Sequence, residues 1–302
     1  MKIPPYLKKG DTIGITCPAG YMDRNNIQQC VETLQQWGFQ AMIGNTVGSQ
    51  SGNYFSGTDE ERLIEFQAML DSNDIKAILC GRGGYGASRI IDQLDFKSFK
   101  KNPKWIIGFS DITVFHCHLN TALKTASLHA PMAAAFKNYQ KDDLYINSIK
   151  NAIVGKKSNY SIVGHSLNKQ GSVSGELIGG NLALIAHLIG SPSSIQTKGK
   201  ILFIEDVGEY IYNVDRMMVQ LKRSGLLKNL SALIVGQFTD MKDTTRPFGK
   251  KVEELILDAV KEYNYPVCFN FPVGHCKENV ALKCGVPYTL VVGKHKASLK
   301  EI

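Results

Sequence analysis

The chain has 302 residues, 43% of them hydrophobic and 21% charged. That is enough for one large or two medium globular domains, and no window approaches the roughly 18 apolar residues of a membrane span, so a membrane-embedded class is excluded. The net charge of +8 is scattered over pairs such as Lys8-Lys9, Lys100-Lys101 and Lys156-Lys157 without interleaved aromatics, which speaks for acidic small substrates and against nucleic acid.

In chain order, the N-terminus has no apolar h-region, which leaves the cytoplasm as the expected compartment. Residues 12–17 read as a short apolar strand, 25–37 as a helix stopped by Gly38, and 39–43 as a second strand. Thr58-Asp59-Glu60-Glu61 is a capping box opening a helix that runs to about residue 70. A third strand at 75–80 leads through a glycine loop into a helix at 87–94. A fourth at 104–109 ends abruptly on Ser110, and helical periodicity follows from 112 to 124. Repeated βα units of this length predict a parallel sheet covered on both faces.

Residues 156–171 are polar and turn-rich and read as a linker. Beyond them, strands at 201–204, 233–235, 267–269 and 289–292 lie among helices at about 181–189, 214–223 and 250–263. The expected fold is therefore α/β: an N-terminal parallel-sheet βα domain at 1–155, the linker at 156–171, and a smaller C-terminal α/β domain at 172–302. Seven cysteines, an odd count without a C-x-x-C pair, predict reduced thiols. The neighbours His116-Cys117-His118 diverge by about 100° on a helix and cannot converge on a metal ion.

Two motifs carry chemistry. Ser110 stands on a strand-to-helix turn at the C-terminal edge of the sheet, where a nucleophile elbow presents its hydroxyl and the next residue offers a backbone N–H to an oxyanion. The same serine could simply cap the helix, and Ile112 stands where G-x-S-x-G has its second glycine. Gly81-Arg82-Gly83-Gly84-Tyr85-Gly86 contains G-x-G-x-x-G after a strand and before a helix, so a dinucleotide-binding oxidoreductase is a competing class. Its place in the third βα unit and the bulky Arg82 count against that. Four glycines could equally present N–H groups to any anion. A serine nucleophile needs a base and an acid to orient it. His275, past an apolar strand and after Pro272 and Gly274, is the more suggestive histidine. The strand at 201–204 ends on Glu205 and Asp206. These remain readable as a loop histidine and a helix-initiating carboxylate.

The chain resembles the LD-carboxypeptidases, or muramoyltetrapeptide carboxypeptidases, a serine-peptidase family that includes the microcin C immunity hydrolases. The likeness runs from about Lys8 to Lys294. It is carried by Gly10-Asp11-Thr12-Ile13-Gly14-Ile15 with Pro18-Ala19, Gly57-Thr58-Asp59-Glu60-Glu61-Arg62, the Cys80–Gly86 loop and Gly108-Phe109-Ser110-Asp111-Ile112-Thr113. Gly179-Gly180-Asn181-Leu182, Ile204-Glu205-Asp206 and Pro272-Val273-Gly274-His275 complete it.

The resemblance implies Ser110 as nucleophile in the N-terminal domain, with Glu205 as acid and His275 as base in the C-terminal domain. It implies an oxyanion hole from the N–H groups of Gly84 and Asp111, and an active site in the cleft between two domains of a homodimer. No metal or cofactor is expected. The substrate would be a murein tetrapeptide losing its terminal D-alanine, with Arg82 reading the D-alanine carboxylate or bracing the glycine loop. A self-immunity hydrolase of a peptidyl-nucleotide antibiotic is the alternative within the family. A catalytically silent binding protein is disfavoured by the intact triad.

Overall fold

The computed structural model describes residues 1–302, apart from the side chain of Asn138. Short apolar runs build the first sheet: β1 (Thr12–Thr16), β2 (Gln40–Ile43), β3 (Ile75–Cys80), β4 (Trp105–Gly108) and β5 (Ser127–His129). They lie parallel in the order β5-β4-β3-β1-β2. β4 is buried throughout and β3 at all but Lys76, as a parallel sheet covered on both faces demands. Helices α1 (Gln28–Gln36), α2 (Asp59–Asp71), α3 (Ala87–Ile90), α4 (Lys97–Lys101) and α5 (Thr113–Thr121) lie between these strands, and α6 (Leu144–Ile153) follows. The expected capping box opens α2, with Thr58 and Glu61 bonded reciprocally. The expected helix at 87–94 is shorter than read: α3 tightens into a 3-10 turn at Ile91–Gln93.

The second sheet takes β6 (Asn159–Val163), β7 (Gly171–Asn181), β8 (Ile201–Val207), β9 (Ala232–Thr239) and β10 (Val267–Cys268). After β11 (Leu282–Cys284) the chain adds β12 (Val286–Val292) and β13 (Lys296–Glu301). The order is β10-β9-β8-β7-β12-β13-β6, parallel from β10 to β7 and antiparallel beyond. Helices α7 (Leu182–His187), α8 (Ile211–Arg223) and α9 (Val252–Val260) complete it. No helix among the described residues is long and apolar enough to cross a membrane.

Two features depart from a simple division at 156–171. That stretch contains β6, the edge strand of the second sheet, whose alternation of half-buried and exposed residues the polar composition hides. β11, from the far end of the sequence, pairs antiparallel with β5 and closes the first sheet. The halves also share two apolar clusters, one holding Ile15, Leu79 and Leu128 with Leu177, Phe203 and Leu290, the other Ile78 and Ile106 with Ile178 and Leu202.

A buried ion pair fastens the crossing. Lys283 on β11 reaches both oxygens of Glu301 on β13, at 2.9 and 3.1 Å, with both side chains at most 4% exposed. The Ser158 N–H donates to Glu301 Oε2 at 2.8 Å, and Lys283 donates to the Lys156 carbonyl at 3.2 Å. Removing one partner strands a buried charge. Lys283→Met should therefore lower unfolding stability by about 3–5 kcal/mol, and adding Glu301→Gln should restore part of it. Urea unfolding of the single and double variants checks this; additive losses would contradict the pairing.

Candidate active site

β4 delivers its last residue to a sharp turn. Phe109 is extended, and Ser110 takes φ +62°, a left-handed backbone that costs a non-glycine residue of order 1–3 kcal/mol. A 3-10 turn (Ser110–Ile112) then runs into α5. Strain of this kind persists only where the surroundings enforce it. Here Ile112, fully buried, fills the space over Gly108 that a second glycine would have left empty. The serine is half-buried, and its hydroxyl lies 3.0 Å from His275 Nε2.

The partners come from the other sheet. Glu205 is on β8 and fully buried, and its Oε2 accepts from His275 Nδ1 at 2.7 Å. His275 follows Gly274, whose φ of +127° suits glycine; a Cβ there would stand 2.9 Å from the Glu205 Cβ. The imidazole is 19% exposed and packs on the Phe109 ring at 4.8 Å between centroids. Beneath it His129 is wholly buried against Phe109 and Phe203. Burial, then the neighbouring imidazoles of His116 and His275, hold His129 neutral far below the usual histidine range. Of these imidazoles, that of His275 is the one hydrogen-bonded to a carboxylate.

Asp206 follows at an irregularity in the β8–β9 register and takes different partners. Its Oδ1 accepts from Asn181 Nδ2 at 2.8 Å and its Oδ2 from the Ala183 N–H at 3.0 Å, at the start of α7. The adjacent carboxylates thus divide: Glu205 meets the imidazole, and Asp206 holds the second unit together locally.

The glycine loop covers the serine. A Cβ on Gly83 would fall 2.8 Å from the Ser110 Cβ and 3.0 Å from its Oγ, so only glycine fits. The Gly83 carbonyl accepts from the Gly20 N–H at 2.9 Å, and planarity of the trans peptide turns the Gly84 N–H the other way. Neither that N–H nor the Asp111 N–H, at the open start of a helical turn, has a partner among the described residues. Asp111 also fixes the loop with its side chain: Oδ2 accepts the Ala87 N–H at 2.8 Å. The first N–H of α3, which a pyrophosphate would need, is thereby taken by a carboxylate, so the dinucleotide reading fails on this geometry.

Arg82 is tied to the N-terminal loop. Its guanidinium donates to the Tyr21 carbonyl at 2.9 Å and is otherwise exposed. The buried cation that organises the loop is one that sequence reasoning missed. Arg62 is fully buried, donates to the carbonyls of Pro18 (2.6 Å) and Gly86 (3.2 Å), and pairs with Asp59. The available signal was its place at i+3 from Asp59, on the same helical face as the buried Phe66 and Met69.

Burial raises both Asp111 and Asp206 to about 6. Their folded-state pKa values lie above the unfolded ones, so the folded chain holds protons that the unfolded chain releases between about pH 4 and 6. Their contribution is full below about pH 4 and is lost as the pH rises through 6. Asp206→Asn should flatten that decline, read as the urea midpoint from pH 4 to 7; an unchanged slope would contradict the assignment.

Residues 13–130 match the LD-carboxypeptidase N-terminal domain and 174–290 the LD-carboxypeptidase C-terminal domain. A probable murein peptide carboxypeptidase of Bacillus subtilis is 34% identical over 289 residues, covering 93% of this chain and 89% of that relative. The microcin C7 self-immunity protein MccF of Escherichia coli is 28% identical, over 98% of this chain and 94% of its own. The crystal structure of muramoyltetrapeptide carboxypeptidase from Oxalobacter formigenes superposes with a TM-score of 0.87 at 29% identity, covering 96% of this chain and 98% of the other. A two-sheet α/β fold and both domain matches lead to one conclusion: this chain belongs to the LD-carboxypeptidase family of peptidases.

Proposed function

We propose that the protein is a serine-type LD-carboxypeptidase that removes the terminal D-alanine from murein tetrapeptides. The observation that carries the reading is the relay from Ser110 Oγ through His275 to Glu205, with links of 3.0 and 2.7 Å. His275 takes the Ser110 proton as the hydroxyl attacks the carbonyl carbon between the L-configured centre and D-alanine. The unpaired N–H groups of Gly84 and Asp111 receive the oxyanion. Glu205 stabilises the imidazolium, which then protonates the departing amine, and water hydrolyses the acyl-enzyme with His275 as base. Arg82 serves as a brace, tying the loop to the Tyr21 carbonyl.

The reading includes a cytoplasmic homodimer that needs no metal or cofactor. Murein peptide is favoured as substrate by the murein peptide carboxypeptidase relative and by the muramoyltetrapeptide carboxypeptidase fold match. The likeness to MccF supports a second substrate, a peptidyl-nucleotide antibiotic, which the same chemistry would cleave.

Ser110→Ala should fold normally and lose about 10⁴-fold or more in kcat on tetrapeptide, because a triad acts as a unit. Unimpaired D-alanine release by that variant would end the serine reading. Glu205→Gln keeps the volume and removes the charge beside the imidazolium, and should lower kcat by roughly 10²–10⁴-fold. A silent Glu205→Gln beside an inactive Asp206→Asn would reassign the acid.

A further inference from the structure

The two N–H groups assigned to the oxyanion come from different segments, and one side chain ties those segments together. The Asp111 N–H belongs to the turn that carries Ser110, and the Gly84 N–H to the glycine loop. A Cβ on Gly83 would lie 3.4 Å from the Asp111 nitrogen, so the loop crosses directly over the turn. The Asp111 carboxylate spans this crossing: its Oδ2 accepts the Ala87 N–H at 2.8 Å, just past the far end of the loop. Releasing this carboxylate would therefore change the spacing of the two donors.

Its surroundings make the carboxylate sensitive to a proton. Asp111 has no exposure, and Oδ1 has no hydrogen-bond partner among the described residues. The charge that faces it is that of Arg62 on α2, which also holds the Gly86 carbonyl at 3.2 Å. Behind Arg62 stand Asp59, Arg89 and Tyr85, which act on the same guanidinium. Cys80, at the end of β3, also feels the Asp111 charge, and burial keeps its thiol protonated. Burial raises the Asp111 carboxyl to about 6, against the Ala87 and Gly86 N–H groups and the Arg62 charge, which lower it. Above that pH the carboxylate attracts both the guanidinium and the loop. Below it that attraction is lost, and a proton on Oδ1 has no acceptor in this arrangement.

We propose that Asp111 is a positioning residue whose carboxylate holds the oxyanion hole in its working geometry, and that its protonation releases the glycine loop and switches the site off in acid. The proposal rests on the serine-peptidase reading and adds a second proton to its pH dependence. The first is that of His275, which must be neutral to accept from Ser110. Because burial favours the protonated acid in the folded chain, this inactivation is distinct from unfolding: the same proton stabilises the fold.

The test is the pH profile of kcat/KM for D-alanine release from murein tetrapeptide. In the parent, the acid limb should steepen from slope one to slope two as the pH falls through about 6. Asp111→Asn carries side-chain hydrogens where the acid would carry its proton. It should lose roughly 10–100-fold at neutral pH, mostly in kcat, and show slope one throughout. Its gap to the parent should close as the parent's carboxyl is protonated. Urea midpoints at the same pH values should show both chains folded across the range. A parent limb of slope one, a slope of two that persists in Asp111→Asn, or an undiminished Asp111→Asn would each overturn the proposal. The parent limb needs no variant to fold. Each of these outcomes leaves D-alanine release intact; a parent that releases none at any pH would sink the underlying reading instead.

Discussion

One imidazole joins the two halves of the molecule. His275 holds Ser110, on the turn that follows β4 of the first sheet, through Nε2, and Glu205, on the second, through Nδ1. Hydrogen bonds of this kind weaken steeply when donor and acceptor move apart, so the relay requires the two sheets to keep a fixed mutual placement. The fold meets that demand several times over. Two apolar clusters are shared by the sheets, β11 returns to close the first sheet, and the Lys283–Glu301 pair locks β11 to β13. Near Ser110, the Asn181 N–H at the end of β7 donates to Thr113 Oγ1 at 3.0 Å, on the first residue of α5.

Preorganisation extends to the loop over the serine. Arg62, at no exposure, grips the Pro18 and Gly86 carbonyls, Gly20 grips that of Gly83, and Asp111 grips the Ala87 N–H. Four contacts therefore set the direction of a few peptide planes. The proposed oxyanion site would benefit from this, because its dipoles would need no reorganisation when charge develops. Burying Arg62 and Asp111 opposes ionisation of both: desolvation raises the Asp111 carboxyl and lowers the Arg62 guanidinium. Stability is given up locally so that the backbone around Ser110 stays in one arrangement.

The first half of the fold was legible because buried parallel strands are uninterrupted apolar runs bounded by glycine or polar turns, as at Ile75–Cys80. The second half was less so. β7 reads Gly171-Ser-Val-Ser-Gly-Glu-Leu-Ile-Gly-Gly-Asn181, and its glycines mimic a loop although they permit close approach to β8 and α5. β11 was out of reach because its partner lies more than 150 residues earlier, and three residues carry no period. At the site, Ser110, Glu205 and His275 could be singled out by their positions after apolar strands, and the structure brings all three together. Arg62 was hidden because a helical arginine is ordinarily solvated, and only the tertiary fold shows that its face is enclosed.

The proposed reaction passes through a covalent step at one hydroxyl. The most direct measurement is rapid acid quenching of the parent protein with murein tetrapeptide, followed by mass spectrometry of the intact chain and its fragments. The account predicts a transient adduct with the mass of the tripeptidyl acyl group, confined to the fragment that contains Ser110, forming as D-alanine appears. Release of D-alanine with no adduct at any quench time, or an adduct on another residue, would contradict it.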